Sequence, residues 1–128
     1  MRRGAARSSL GAPSTESLRY MTWCFEGGGR LVAAFSGRGA RSKAQLVLTN
    51  SPPFDTRGVR TGSSSRYARR ALKRERRLAR VRGVSVLVVR QRRRQLLVGL
   101  QRGRVAYVAV AQRGLKRRSV VKLLRRLP

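Results

Sequence analysis

Read for the spacing of apolar positions, the chain divides into segments of different period. Leu31-Val32-Ala33-Ala34-Phe35 and Gln45-Leu46-Val47-Leu48-Thr49 are two short β-prone runs joined by Gly37-Arg38-Gly39-Ala40-Arg41-Ser42-Lys43. They predict a loose hairpin over 31–49 with a basic tip, ended by Ser51-Pro52-Pro53. Thr56 to Ser65 holds Gly, Ser, Thr and Arg around a single Val59 and predicts an extended linker. Val84 to Val89, Gln95 to Gln101 and Val105 to Ala111 are three β-rich runs, the last two separated by Arg102-Gly103, a spacing suited to a tight hairpin. They predict a three-stranded antiparallel meander over 84–111. Both alternations of the first run are apolar, Val84, Val86 and Val88 on one and Leu87 and Val89 on the other, so that strand is expected to be covered on both faces.

Between the linker and the meander, residues 65–81 fit a helical period. On a wheel of 3.6 residues per turn Arg66, Arg69, Arg70, Lys73, Arg74, Arg76, Arg77 and Arg80 fall on one side, while Tyr67, Ala68, Ala71, Leu72, Glu75, Leu78 and Ala79 fill the other. Ser64 or Ser65 supplies an N-cap. Such a helix is costly in isolation: Arg66/Arg70, Arg69/Lys73, Arg70/Arg74, Lys73/Arg77 and Arg76/Arg80 are like-charge i,i+4 pairs at about 0.2–0.5 kcal/mol each. Glu75, inside the apolar arc, is expected to pair with an arginine of the sheet or the final helix. Residues 120–127 predict a second short amphipathic helix, with Val120, Leu123, Leu124 and Leu127 opposed to Arg118, Lys122, Arg125 and Arg126. The predicted fold class is therefore α+β: a small antiparallel sheet (84–111) flanked by a basic helix (65–81) and a C-terminal helix (120–127), with a loose hairpin (31–49) and extended basic arms. The predicted organisation is an N-terminal arm (1–29), a hairpin (30–50), a linker (51–64) and a binding domain (65–128).

Charge sharpens the division. Thirty-two Lys and Arg against four Asp and Glu leave +28 in 128 residues, and only Lys43, Lys73, Lys116 and Lys122 are lysine, so 28 of the bases are arginine. A chain so self-repulsive calls for a polyanionic partner, and arginine's planar fork suits phosphate and base stacking better than an ammonium. Residues 1–62 carry ten bases and three acids (+7); residues 63–128 carry twenty-two bases and one acid (+21). Hydrophobic residues at 41% exceed what a wholly disordered polycation carries. His and Ile are absent and Asn occurs once, as Asn50, which fits a GC-rich gene that itself inflates arginine. The opening stretch, with Arg2, Arg3, Arg7 and Arg19 against Glu16, has the composition of a transit peptide or an uncleaved basic arm, pointing to mitochondria, with a plastid or the cytoplasm as alternatives.

Catalytic chemistry has no foothold in this inventory. Without His the commonest general base is missing, and Glu16, Glu26, Asp55 and Glu75 show no paired or metal-ligating spacing, so neither an enzyme nor a cofactor is expected. Cys24 is the only cysteine, which leaves no internal disulfide and suggests a reducing compartment. Gly27-Gly28-Gly29-Arg30 lacks the Lys-Ser/Thr ending of a phosphate loop and precedes a strand, so it predicts a turn. No apolar run approaches the roughly 18–20 residues that span a bilayer. Phosphate binding is assigned to Arg66, Arg69, Arg70, Lys73, Arg74, Arg76, Arg77 and Arg80 on the helix, Arg92, Arg93 and Arg94 at a loop tip, Arg102 and Arg104 at the second hairpin, and Arg117, Arg118, Lys122, Arg125 and Arg126 towards the end. Tyr67 and Tyr107 are the only aromatics of the arginine-rich half, so backbone and shape recognition of folded RNA is favoured over stacking on single strands.

The run Arg69-Arg70-Ala71-Leu72-Lys73-Arg74-Glu75-Arg76-Arg77, followed by Val84-Ser85-Val86-Leu87-Val88-Val89-Arg90 and two further strands, resembles the style of ribosomal proteins, organellar ones in particular. It is faintly similar to the basic helix and meander of the universal large-subunit protein that binds 5S ribosomal RNA, although that family continues with a longer α/β portion. The resemblance implies a structural constituent of a ribosome, with ribosomal RNA and neighbouring ribosomal proteins as partners and no small-molecule substrate. The alternatives from other classes are a non-ribosomal nucleic-acid-binding or structural subunit of another large organellar complex, and a protein that binds anionic membranes.

Overall fold

The computed structural model describes residues 1–52 and 54–127; Pro53, part of the predicted hairpin terminator, and Pro128 lie outside the described residues. In chain order the elements are α1 (Arg3–Leu10), β1 (Thr15–Glu16), β2 (Tyr20–Cys24), β3 (Arg30–Phe35), β4 (Ala44–Thr49), β5 (Asp55–Thr56), β6 (Val59–Arg60), α2 (Ser65–Ala71), β7 (Arg76–Val81), β8 (Val84–Arg90), β9 (Arg94–Gln101), β10 (Arg104–Gln112) and α3 (Arg117–Arg125). Eight strands form one sheet in the order β1-β2-β3-β4-β10-β9-β8-β7, every neighbour antiparallel, and β5 pairs with β6 in a separate ribbon.

This architecture overturns the predicted small three-stranded sheet flanked by two helices. The meander β8-β9-β10 is present, but it is one part of a larger sheet: β10 pairs with β4 through Val108↔Thr49 to Ala111↔Leu46, which joins the 31–49 hairpin to it. That hairpin, β3 with β4, is an interior part of the sheet and not a loose appendage. The predicted extended N-terminal arm is instead built into the fold. Met1 and Arg2 run beside Lys43 and Ala44, α1 follows, and Tyr20–Cys24 pairs with β3.

The larger correction concerns 65–81, which is not one helix. Ser64 does cap a helix, its Oγ accepting from the Tyr67 amide at 3.1 Å, but α2 ends at Ala71. Arg74 turns the chain with φ +63°, and residues 76–81 form edge strand β7. The reason is energetic: continuing the helix stacks Arg70/Arg74, Lys73/Arg77 and Arg76/Arg80 on one face, with no acid to offset them. As a strand, the same residues gain backbone partners on β8, and an irregularity between Arg77 and Ala79 lets both Leu78 and Val81 enter the core, each 4% exposed. An edge strand carrying Arg76, Arg77 and Arg80 also resists pairing with a further chain. Glu75 falls in the turn before β7 and forms no ion pair among the described residues, so the expected partner is not there.

The final helix begins at Arg117, three residues before the predicted start at 120, and ends at Arg125. It lies over one face of the sheet, where Val120, Leu123 and Leu124 join Tyr20, Val32, Leu46, Leu78, Val86 and Leu97 in the principal core. The Tyr20 hydroxyl donates to the Leu123 carbonyl at 2.9 Å, and Arg82 Nη1 donates to the Leu127 carbonyl at 2.9 Å, tying both the body and the end of α3 to the sheet. The opposite face is covered by two short helices. Ala68 and Leu72 from the α2 segment pack with Leu87, Val89, Leu96 and Val98, while Ala6 of α1 packs with Met21, Trp23 and Phe35. With helices on both sides, β8 and β9 are buried in unbroken runs, as their continuous apolar sequence requires.

Candidate polyanion interface

Edge strand β7 sends arginines to both sides of the sheet, and the two sides differ. Towards α3, the register Arg76↔Val88 puts Arg76 in line with the core-facing residues of β8, and Arg90 closes that strand's far end. Gln95, opposite Arg90, is 2% exposed and donates through Nε2 to the carbonyls of Gln112 and Leu115, both at 2.9 Å. These bonds fix the connection between β10 and α3, and so the point at which Arg117 starts the helix. The result is a cleft of about 450 Å³ walled by Arg74, Arg76, Arg77, Arg90 and Arg117, with Leu78, Val88 and Gln95 also lining it. No acid lines it.

A second groove, about 600 Å³, continues along α3 from the shared Arg117. Arg118, Lys122, Arg125 and Arg126 line it with Ala79 and Val121. On the other face of the sheet a smaller notch of about 220 Å³ gathers Arg69, Arg80 and Arg102 around Ser65, Ser85 and the turn glycines Gly83 and Gly103. Charges closer than a Debye length, roughly 8 Å at physiological salt, are only partly screened from one another, so like charges gathered around one cleft reinforce each other's field.

All eighteen residues assigned to phosphate binding from the sequence are exposed. The structure brings Arg74, Arg76, Arg77 and Arg117 together in the cleft, Arg117, Arg118, Lys122, Arg125 and Arg126 in the groove, and Arg69, Arg80 and Arg102 in the notch. Others stand apart from these three hollows. Arg66 and Arg70 are on α2, Lys73 is in the following turn, and Arg92 and Arg93 are at the β8-β9 turn beside Arg94, whose Nε donates to Gln91 Oε1. Arg104 is tied into the fold, Nη1 donating to the Gly62 carbonyl at 2.9 Å. Sequence reasoning missed Arg90, which ends a Val-rich run; its position directly before the Gln91–Arg93 turn was the available signal.

Glu75 lies between Arg74 and Arg76 in the chain but is not among the residues that line the cleft. Glu16, near the opposite edge of the sheet, receives Arg3 Nη2 at 3.0 Å and Arg7 Nη2 at 2.6 Å, and these two guanidinium hydrogen bonds hold its pKa below the usual carboxylate value. Burial raises the pKa of Tyr20, and that of Tyr107 to about 12. Among the described residues no cluster of His, Cys, Asp and Glu could hold a metal ion, and no helix is long and apolar enough to cross a membrane.

No family model matches the chain, and no curated protein does. Two solved structures share its fold. A DUF4309 family protein, YjgB, from Bacillus subtilis subsp. subtilis str. 168 superposes with a TM-score of 0.61 at 10% identity, over 87% of this chain and 78% of that one. An extracellular protein containing a SCP domain, from Bacillus anthracis str. Ames, gives a TM-score of 0.55 at 12% identity over 97% of this chain. The match takes in only 45% of that second protein.

Proposed function

We propose that this chain is a binding module for folded RNA, gripping the sugar-phosphate backbone along β7 and α3 without catalysing a reaction. The observation that carries this reading is the pair of adjoining grooves, joined at Arg117 and lined between them by eight arginines and one lysine, with no acid lining either groove. Guanidinium groups recognise phosphate bidentately, and a surface of this charge gains its affinity from released counterions and not from base identity. A ribosome, as the sequence style implies, is one setting for such a module; the interface itself requires only an RNA whose backbone reaches both grooves.

An anionic membrane is the weaker alternative. The apolar side of α3 is buried against the sheet through Val120, Leu123 and Leu124, and 65–81 supplies no second amphipathic helix to lie in a bilayer interface.

The test is binding of a labelled 5′-hydroxyl RNA hairpin to the full chain across a salt series. With about six phosphates contacted, affinity should fall by about 10³ between roughly 50 and 200 mM salt. Replacing Arg76, Arg117, Arg118 and Arg125 with Ala should weaken binding at least about tenfold more than the charge-matched replacement of Arg19, Arg38, Arg41 and Arg60. Equal losses in the two variants would refute the location, and an affinity flat with salt would refute the mechanism.

A further inference from the structure

We infer that the cleft walled by Arg74, Arg76, Arg77, Arg90 and Arg117 is a site for a compact oligophosphate, a pyrophosphate or triphosphate group, and not simply one more contact along a polynucleotide. The inference rests on the reading of this face as phosphate-binding. At about 450 Å³ the cleft is of small-ligand size, far below what a nucleic-acid helix occupies. A backbone threading past it presents one charge per phosphodiester, whereas five arginines line the same space. Only a ligand that concentrates several negative charges in a few ångströms offsets that density.

The walls are built, not merely charged. They come from four separate places in the chain: the turn before β7, β7 itself, the end of β8 and the start of α3. Gln95 holds the last of these by its two 2.9 Å bonds to the Gln112 and Leu115 carbonyls, and Leu78 and Val88 are core residues, 4% and 8% exposed, that cannot retreat. Lys116, at the N-cap of α3, makes no side-chain capping bond, so the first-turn amides beside Arg117 keep their positive end of the dipole uncompensated. A planar, bidentate donor set around a fixed opening suits the terminal oxygens of a di- or triphosphate better than a single monoanion.

Calorimetric titration of the full chain with sodium tripolyphosphate, pyrophosphate and orthophosphate at matched ionic strength tests this. Tripolyphosphate should bind at least about tenfold tighter than orthophosphate. Replacing Arg76, Arg90 and Arg117 with Ala should remove that preference, whereas replacing the exposed Arg38, Arg41 and Arg60 should leave it within about twofold. The milder R90K/R117K variant keeps charge and fold but loses bidentate geometry, and should show a reduced preference. A 5′-triphosphate RNA bound more tightly than its 5′-hydroxyl form, with tripolyphosphate erasing the difference, would identify the ligand as an RNA end; equal binding of both RNAs with tight tripolyphosphate binding would identify a free oligophosphate. Tripolyphosphate binding no tighter than orthophosphate, or lost equally in the Arg38/Arg41/Arg60 variant, overturns the inference. If the hairpin RNA still binds in that case, the proposed function stands; if neither ligand binds, both fall.

Discussion

A Cβ built on Gly99 would lie 2.5 Å from Cε2 and 2.6 Å from Cζ of Tyr107, its partner across the β9-β10 pair. The tyrosine ring fills the space that a side chain at 99 would need, so this strand glycine serves close approach and not a turn. Gly99→Ala is expected to cost about 1–3 kcal/mol, read as a lower denaturant midpoint. In a Tyr107→Leu background the same substitution should cost less than half as much. An undiminished cost there would show that the ring is not the obstacle.

The same ring gives a pH signature. Burial raises the Tyr107 pKa to about 12, against an unfolded value near 10. Because the folded chain holds this proton more tightly than the unfolded one, the associated stability is complete below about pH 10 and is lost as pH rises towards about 12. Tyr20, shifted the same way by burial, contributes in the same direction. Ultraviolet absorbance titration should show Tyr107 ionising late, and Tyr107→Phe should remove the highest transition. Ionisation of every tyrosine near pH 10 in the folded chain would contradict the buried environment.

Three ribbons turn on an Arg-Gly pair: Arg57-Gly58, Arg82-Gly83 and Arg102-Gly103, each with both φ values positive. Two-residue turns of this kind favour Asn or Asp before Gly, and arginine at φ near +53° is strained. Arg102→Asn should therefore stabilise by about 0.5 kcal/mol. Gly103→Ala should destabilise by about 1–2 kcal/mol through backbone conformation alone, since nothing lies within 4 Å of its added Cβ. Thermal melts of the two variants moving in opposite directions would support this; a stabilising Gly103→Ala would contradict it.

Arg3 anchors the N-terminal segment. It is 6% exposed, donates to the carbonyls of Leu18, Ser17 and Gly37 at 2.8–2.9 Å, pairs with Glu16 and stacks 5.6 Å from the Phe35 ring centre. Arg3→Met strands those carbonyls and should cost about 1–3 kcal/mol, while the exposed Arg7→Ala should cost little. The Glu16 pKa is lowered in the folded chain, so its contribution is present above the unfolded carboxylate range and is lost as pH falls through the folded value. Protection from hydrogen exchange at the Arg3 and Gly4 amides, which bond to the Ser42 and Ala40 carbonyls, should fall in acid once the slower intrinsic exchange there is corrected for, and in Glu16→Gln at neutral pH. Exchange indifferent to both would mean that the ion pairs do not hold the segment.

Much of the sheet was legible in the apolar pattern. Val86 and Val88 against Leu87 and Val89 marked a strand covered twice, and Arg102-Gly103 marked its neighbour's turn, because both signals lie within a few residues of chain. Tyr20–Cys24 was hidden because the stretch before it, with Arg2, Arg3, Arg7 and Arg19, reads as a basic arm. A strand of five residues is too short to show a period of its own and gains its identity from pairing with β3.

The sequence by itself determined where the charge would be. Twenty-one net charges lie in the last 66 residues, and their exposure follows from the cost of burying a guanidinium without a partner. It also determined the start of α2 through Ser64 and the three strands of the meander. Tertiary structure decided whether 76–81 would be helix or strand, because the ladder offered by β8 exists only once that strand is in place, and it outweighed a helical period burdened by like-charge pairs. It alone brought Arg90 and Arg117, 27 residues apart, to one cleft with Arg74, Arg76 and Arg77, by packing the start of α3 against the sheet through Gln95. A local pattern sets how many arginines face water; which of them face each other depends on contacts between elements distant in the chain.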